Sequence, residues 1–133
     1  YNGIPLVGWC HGSSGILLAL SKMPELLNDP SIKGYQQRAL DNTILNGLYD
    51  SNCLCHGSSG NADILKLYKE LNGTNELLDS FLVDSYHDLI LNGFSSFGSA
   101  QTMNFGLMTG ISGAGFSVLN SINKADISYF SLD

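Results

Sequence analysis

The sequence predicts an all-α protein in which buried inner helices alternate with half-exposed outer helices. Three observations lead to this prediction. A short glycine-serine motif occurs three times, each time before a stretch of small and apolar residues, and apolar residues recur at helical spacing in the segments between the motifs. No comparable stretch shows the alternation of apolar and polar residues that is typical of a strand. The 133 residues suit one domain of ordinary size.

The repeated motif begins at Gly12, Gly57 and Gly110, where the chain reads GSSG, GSSG and GISG. Glycine permits a sharp turn, and serine is a preferred N-cap because its hydroxyl accepts a hydrogen bond from a free helix N–H. Each motif is therefore predicted to be a turn whose serine caps a helix. The predicted inner helices cover about 14–22, 58–72 and 111–122. They are apolar nearly all round, which predicts burial on both sides.

Two longer segments, 32–49 and 75–92, have the pattern of amphipathic outer helices. In the first, Leu40, Ile44 and Leu48 follow the helical spacing i, i+4 and i+8. In the second, that spacing is followed by Leu78, Leu82, Ser85 and Leu89. The stretch 93–106 is rich in glycine and serine and is predicted to be a loop. In this arrangement the three glycine turns all lie at one end of the inner layer.

Composition and charge exclude several classes of protein. The net charge is −6, and the six basic residues form no cluster, so a nucleic-acid partner is not expected. There is no apolar run of the roughly 18 residues that a transmembrane helix needs, and no signal peptide is recognised. We therefore expect a cytoplasmic protein.

The cysteines and histidines indicate a metal site. The phrase CHGSSG occurs twice, beginning at Cys10 and at Cys55. Because the turns are expected at one end of the helices, Cys10, Cys55 and His56 are predicted to converge on a zinc ion. Zinc takes thiolate and imidazole ligands, and a catalytic zinc keeps one coordination position open. Two thiolates and a neutral imidazole cancel the charge of Zn²⁺, and this donor set suits thiol alkylation better than water activation.

His11 has three possible roles at such a site. It would be a fourth ligand of a closed structural site, a proton donor beside an open one, or a packed histidine; of these we favour the proton donor. Cys53 is expected to be a buried apolar residue, His87 a surface histidine, and Trp9 a packing residue against the inner helices.

Three stretches resemble the C-terminal motifs of the lanthionine synthetase cyclases, the LanC-like family. They are GWCHGSSGI from Gly8, LCHGSSGN from Leu54 and GLMTGISGAGFSVL from Gly106. The histidine in WCHG is closest to the cyclase domain of the class II, or LanM-type, lanthipeptide synthetases. The ending ISYFSLD also resembles the family's C-terminus.

This resemblance implies a fold and a function. The fold is an α/α toroid of inner and outer helices, of which residues 1–133, with about five helices, would be a C-terminal fragment forming one incomplete domain. The family's zinc ligands fall on Cys10, Cys55 and His56, and His11 falls where the family has an active-site Tyr or His. The implied reaction joins a cysteine thiol of a dehydrated precursor peptide to dehydroalanine or dehydrobutyrine, which makes a thioether ring.

The family's upstream catalytic His and Asp have no counterpart in this chain, so we expect little or no cyclase activity from it alone. The expected partners are the precursor peptide and the rest of the synthetase, with a membrane-associated export complex and self-association as further possibilities. A non-catalytic module that binds zinc and thiols or peptides is the alternative function. An α/α-toroid glycosidase is disfavoured, because Asp50, Asp63 and Asp84 show no paired arrangement at the turns.

Overall fold

The computed structural model describes residues 6–95 and 104–123, and over these it is all-helical, as predicted. It contains five α-helices and no strand in the described ranges. The α-helices are α1 (Ser13–Ser21), α2 (Pro30–Asn46), α3 (Ser58–Asn72), α4 (Glu76–Asn92) and α5 (Ile111–Asn123). Of the predicted loop 93–106, residues 96–103 lie outside the described ranges, and the remainder is not helical.

Helix α2 and the segment before it differ from the prediction. A short 3₁₀ helix, Pro24–Asn28, precedes α2 and was not predicted. Helix α2 then begins at Pro30, with the Asp29 side chain accepting a hydrogen bond from the Ser31 N–H at 2.8 Å. It ends before Gly47, where a Cβ atom would lie only 2.3 Å from a backbone oxygen. Leu48, predicted on the apolar face of this helix, therefore follows the helix and is exposed.

The helices pack in two layers. Helix α3 lies between α1 and α5 and contacts both, while α2 packs against α1, and α4 packs against α3. This gives an inner row of α1, α3 and α5 backed by α2 and α4, as the sequence predicts. Such layering is expected of one segment of an α/α toroid, although these five helices do not themselves close a ring.

The core lies between the two layers. Its buried side chains include Leu17 of α1, Leu65 of α3 and Phe81 of α4, and Trp9 packs against this cluster as predicted. Burial on both sides, expected for all three inner helices, is found only for α3, whose residues Ser58–Leu65 are all buried. Helices α1 and α5 each have an inner neighbour on one side only within the described ranges, which leaves Ile16 and Leu119 exposed. None of the helices described here is long and apolar enough to cross a membrane.

Candidate metal centre

The three glycine-containing turns lie side by side and are joined by backbone hydrogen bonds. The N–H of Cys10 in the first turn donates to the carbonyl oxygen of Cys55 in the second, at 3.3 Å. The N–H of Cys55 donates in turn to the carbonyl oxygen of Met108 in the third, at 2.8 Å. Aligning the three motifs on their first glycines places Cys10, Cys55 and Met108 at equivalent positions. The repeat in the sequence is therefore a repeat in backbone geometry.

The last glycine of each motif is required by the path of the backbone in its turn. A Cβ atom on Gly15, Gly60 or Gly113 would lie 2.1, 1.8 or 1.8 Å from the carbonyl oxygen six residues earlier. Any side chain at these positions would collide with the backbone of its own turn, because no real Cβ approaches an oxygen so closely. The three turns thus fold back on the starts of α1, α3 and α5 in the same way.

The serines of the first two motifs do not cap α1 and α3, and the prediction that they do is wrong for these helices. The cap positions are Gly12 and Gly57, both in extended conformation and without a side-chain hydrogen bond. The first serine of each of these two motifs instead bonds outward, to α2 or to the segment that follows it. The Ser13 hydroxyl lies 2.9 Å from the Thr43 hydroxyl of α2, and the Ser58 hydroxyl accepts from the backbone N–H of Tyr49 at 2.7 Å. These bonds fasten the turns to α2 and to the segment after it.

Cys10, Cys55 and His56 come together at the rim formed by these turns. Their sulfur and ring-nitrogen atoms all lie within 4.8 Å of one another. A tetrahedral zinc ion with Zn–S bonds of about 2.3 Å separates two thiolate ligands by about 3.8 Å, so side-chain adjustments of about 1 Å suffice to close the site. Cys10 is exposed, whereas Cys55 and His56 are half-buried. The three donors therefore fit a zinc ion that is reachable from solvent.

The electrostatics of the Cys55 thiol also favour a cation. Burial, followed by the hydrogen bond with the Cys10 thiol, raises the pKa of Cys55 to about 12. The Cys55 thiol resists ionisation, since a thiolate there is partly removed from water and lies next to a second sulfur. A divalent cation removes this resistance by supplying the missing positive charge. The donor set is therefore suited to holding a metal rather than a free thiolate.

His11 lies beside the three donors. Its Nδ1 is 2.8 Å from the sulfur of Cys10, and its ring centroid is 6.3 Å from that of His56. The group of donor atoms within 4.8 Å of one another does not include His11. This geometry favours a role next to an open site over the fourth-ligand alternative.

The remaining cysteine and histidine lie where the sequence suggests. Cys53 is 1% exposed and is part of the buried core, as expected of an apolar residue. His87 is exposed on α4.

A buried carboxylate on α3 was not predicted. Asp63 accepts hydrogen bonds from the Ser117 hydroxyl of α5 at 2.8 Å and from the Tyr86 hydroxyl of α4 at 3.2 Å. Burial raises the pKa of Asp63 to about 6, although these two bonds and the charge of Lys66 oppose the rise. The available signal was a lone acidic residue within the apolar run that begins at Ala62. Asp63 joins three helices and lies outside the metal-donor cluster.

The other acidic residues considered for a glycosidase do not pair with Asp63. Asp50 and Asp84 line a cavity of about 540 Å³ together with Asp88, near the end of α4. Asp63 does not line this cavity, and neither does any of the three metal donors. These carboxylates therefore join neither Asp63 nor the metal donors.

The sequence of this chain is similar to that of known proteins. A curated relative, the Lacticin 481/lactococcin biosynthesis protein LcnDR2 of Lactococcus lactis subsp. lactis, is 30% identical over 132 aligned positions, covering 87% of this chain and 14% of the relative. The chain thus spans only a small part of the length of that relative. No solved structure matches the chain significantly. Residues 2–132 match the family described as Lanthionine synthetase C-like protein, and the chain therefore belongs to that family.

Proposed function

We propose that this chain is a zinc-binding C-terminal part of a class II lanthionine synthetase cyclase domain, and that it acts in thioether ring formation. The observation that carries the proposal is the convergence of Cys10, Cys55 and His56 within 4.8 Å in a LanC-like chain. The proposed biosynthetic role is supported by the curated relative LcnDR2, whose name assigns that protein to lacticin 481/lactococcin biosynthesis. The proposed substrate is a dehydrated precursor peptide.

In the proposed reaction, a peptide cysteine adds to dehydroalanine or dehydrobutyrine. A zinc ion bound by the three donors would lower the pKa of the incoming thiol and hold its sulfur as a nucleophile. The sulfur bonds to the β-carbon of the dehydro residue, the double-bond electrons move toward the adjacent carbonyl, and a proton must then be delivered to the α-carbon. The thiol releases one proton when its S–H bond breaks and the α-carbon takes up one proton, so the products are one thioether bond and one saturated α-carbon, and atoms and electrons balance without a further reactant.

His11 is the proposed proton donor. Its Nδ1–H would donate to the Cys10 sulfur, and the imidazolium form of the ring would then give the proton on Nε2 to the α-carbon. The side chain is exposed beside the donor cluster, where a bound peptide would reach it. The contact with Cys10 also restrains the ring relative to the metal donors, and such positioning is what general acid catalysis requires.

A second candidate is a non-catalytic module that binds zinc and thiols or peptides. It is favoured by the position of the three donors at a rim where Cys10 is exposed, so that a thiol can reach a bound ion there. In that case the exposed side of the cluster would take up a thiol such as glutathione without converting a dehydrated peptide. The two functions are distinguished by whether this segment supports ring formation when the rest of the synthetase is present.

The test uses the longer synthetase that carries this segment, incubated with its dehydrated peptide. Ring formation is measured by mass spectrometry as the loss of cysteines that N-ethylmaleimide can label. We expect Cys55→Ala to abolish ring formation and the matched Cys53→Ala variant to retain it, since Cys53 is not among the converging donors. Zinc and glutathione binding with no ring formation by the wild-type synthetase would instead establish the non-catalytic module.

A further inference from the structure

We propose that the third turn, residues 104–110, positions Cys55 for metal binding although the turn itself contains no Cys, His, Asp or Glu. The link is the hydrogen bond from the Cys55 N–H to the Met108 carbonyl oxygen. This inference rests on the proposed metal site and adds a positioning element to it. Met108 occupies the place in the third turn that the two cysteines occupy in the others.

Cys55 is the central member of the row of turns. Its carbonyl oxygen accepts from Cys10 at 3.3 Å, and its N–H donates to Met108 at 2.8 Å, so both of its backbone groups are used. Cys10 has the second turn on one side, whereas Cys55 has a turn on each side. The position of the Cys55 sulfur relative to Cys10 and His56 therefore depends on where the third turn lies.

Hydrogen bonds of Asn104 hold the third turn in its observed shape. Asn104 accepts from the Gly106 N–H through Oδ1 and donates to the Thr109 hydroxyl through Nδ2, both at 2.8 Å. Its backbone oxygen accepts from the N–H of Ile111, also at 2.8 Å. A Cβ on Gly110 would lie 2.3 Å from that same Asn104 oxygen, so the turn has no room for a side chain there.

A side-chain contact joins the start of α5, directly after the third turn, to the second turn. An added Cβ on Gly113, in the first turn of α5, would lie 2.9 Å from the side chain of Leu54, the residue before Cys55. Leu54 is fully buried. A shift of the third turn would thus move Cys55 in two ways. It would act directly through the hydrogen bond between Cys55 and Met108, and indirectly through Leu54. Groups that orient metal ligands in this way typically contribute about 10- to 100-fold in metal affinity.

The test compares variants that disturb the third turn with a control on α5, the helix that follows this turn. Asn104→Ala removes two hydrogen bonds of an exposed side chain, and Gly110→Ala forces the turn to move. Gly115→Ala is the control, because a Cβ there meets no atom within 4 Å. Cobalt is titrated into each protein, and its affinity and visible absorption bands are measured, with circular dichroism to confirm that each variant is folded.

We expect Asn104→Ala and Gly110→Ala to weaken cobalt binding by about 10- to 100-fold and to shift the absorption bands, while Gly115→Ala leaves both unchanged. Asn104→Asp retains an oxygen that can accept from Gly106 and a second that can accept from Thr109, so it should restore most of the affinity. If Gly110→Ala fails to fold, the inference is tested by the Asn104 variants alone, because the Asn104 side chain is exposed and its replacement leaves the core intact. Unchanged affinity and bands in folded Asn104→Ala would overturn the inference.

A second readout requires no metal and separates this inference from the proposed function. In a Cys53→Ala background, diamide is used to oxidise Cys10 and Cys55 to a disulfide, and the rate is followed by mass spectrometry. Slower cross-linking in Asn104→Ala than in Asn104→Asp supports positioning by the third turn, and equal rates overturn it. If the wild-type protein binds no cobalt and the two Asn104 variants still differ in cross-linking rate, the metal site is refuted and the positioning by the third turn is not.

Discussion

The backbone N–H of Cys10 donates to the carbonyl oxygen of Cys55, and this bond aligns two turns that have the same sequence. Because the turns have the same geometry and lie side by side, residues at equivalent positions in them are neighbours. The bond therefore explains how two CHGSSG motifs that are distant in the sequence bring Cys10, Cys55 and His56 within 4.8 Å of one another.

The close approach at the last glycine of each motif predicts a large effect of a single methyl group. Gly60→Ala should destabilise the protein by about 2–3 kcal/mol, because its Cβ would lie 1.8 Å from the Leu54 oxygen. The matched control is Gly34→Ala in α2, where a Cβ meets no atom within 4 Å, and it should stabilise the protein by about 0.5–1 kcal/mol. Urea unfolding followed by circular dichroism measures both, and similar free energies of unfolding for the two variants would contradict the geometry.

The buried carboxylate of Asp63 predicts a pH-dependent stability. Folding raises its pKa from 3.8 to about 6, so the folded protein binds the proton more tightly than the unfolded chain. The resulting stabilisation is complete below about pH 4 and is lost as the pH rises to about 6, and it is at most about 3 kcal/mol.

Asp63→Asn should remove this change, since its side chain is neutral and its oxygen still accepts from Ser117 and Tyr86. We expect the variant to be more stable than the wild type above pH 6 and to lose the advantage toward pH 4. Asp84→Asn, on the exposed side of α4, is the control. A constant stability difference between Asp63→Asn and wild type across this range would refute the assignment.

The uncovered faces of the inner row predict self-association. On α5, Leu119 and Ile122 are 59% and 70% exposed, whereas Ala114 and Ser117 on the side toward α3 are buried. Contiguous apolar faces of this kind favour association. Leu119→Glu should therefore shift the protein toward monomer in sedimentation velocity, while Leu77→Glu on the outer helix α4 should not. A wild-type protein that stays monomeric at high concentration would contradict this prediction.

The proposed role of His11 predicts a loss of activity without a loss of metal. In the longer synthetase, His11→Ala should slow ring formation by about 10²- to 10⁴-fold, as expected when a general acid is removed. Its zinc content should remain that of the wild type, because His11 is not one of the three converging donors. His87→Ala changes an exposed histidine of α4 and serves as the control. Loss of zinc in His11→Ala would indicate a fourth ligand instead.

The helices could be predicted from the sequence because their signals are local. Glycine turns and apolar spacing gave α1, α3, α4 and α5 to within one residue at each end. The end of α2 was misplaced, since Leu48 continues the apolar spacing but the helix ends before Gly47, whose backbone lies in too close contact with the Thr43 oxygen to carry a side chain. That contact depends on the folded path of the chain and has no signature in the spacing of residues.

The convergence of the three donors was also predictable, because it follows from the repeat and from the placement of the turns at one end. The contact between His11 and the Cys10 sulfur was not, since it depends on a side-chain rotation. The same holds for Ser13 and Ser58, whose type favours a helix cap but whose hydroxyls find partners in α2 or in the segment that follows it. The partners of Asp63 come from α4 and α5, and so only the packing of these helices reveals them.

Zinc content tests the central claim most directly. The purified protein is measured by inductively coupled plasma mass spectrometry alongside Cys10→Ala, Cys55→Ala and Cys53→Ala. The account predicts one zinc ion per wild-type chain, lost in Cys10→Ala and Cys55→Ala and retained in Cys53→Ala. A folded wild-type protein that takes up no zinc, or a zinc ion that is lost only with Cys53, would contradict it.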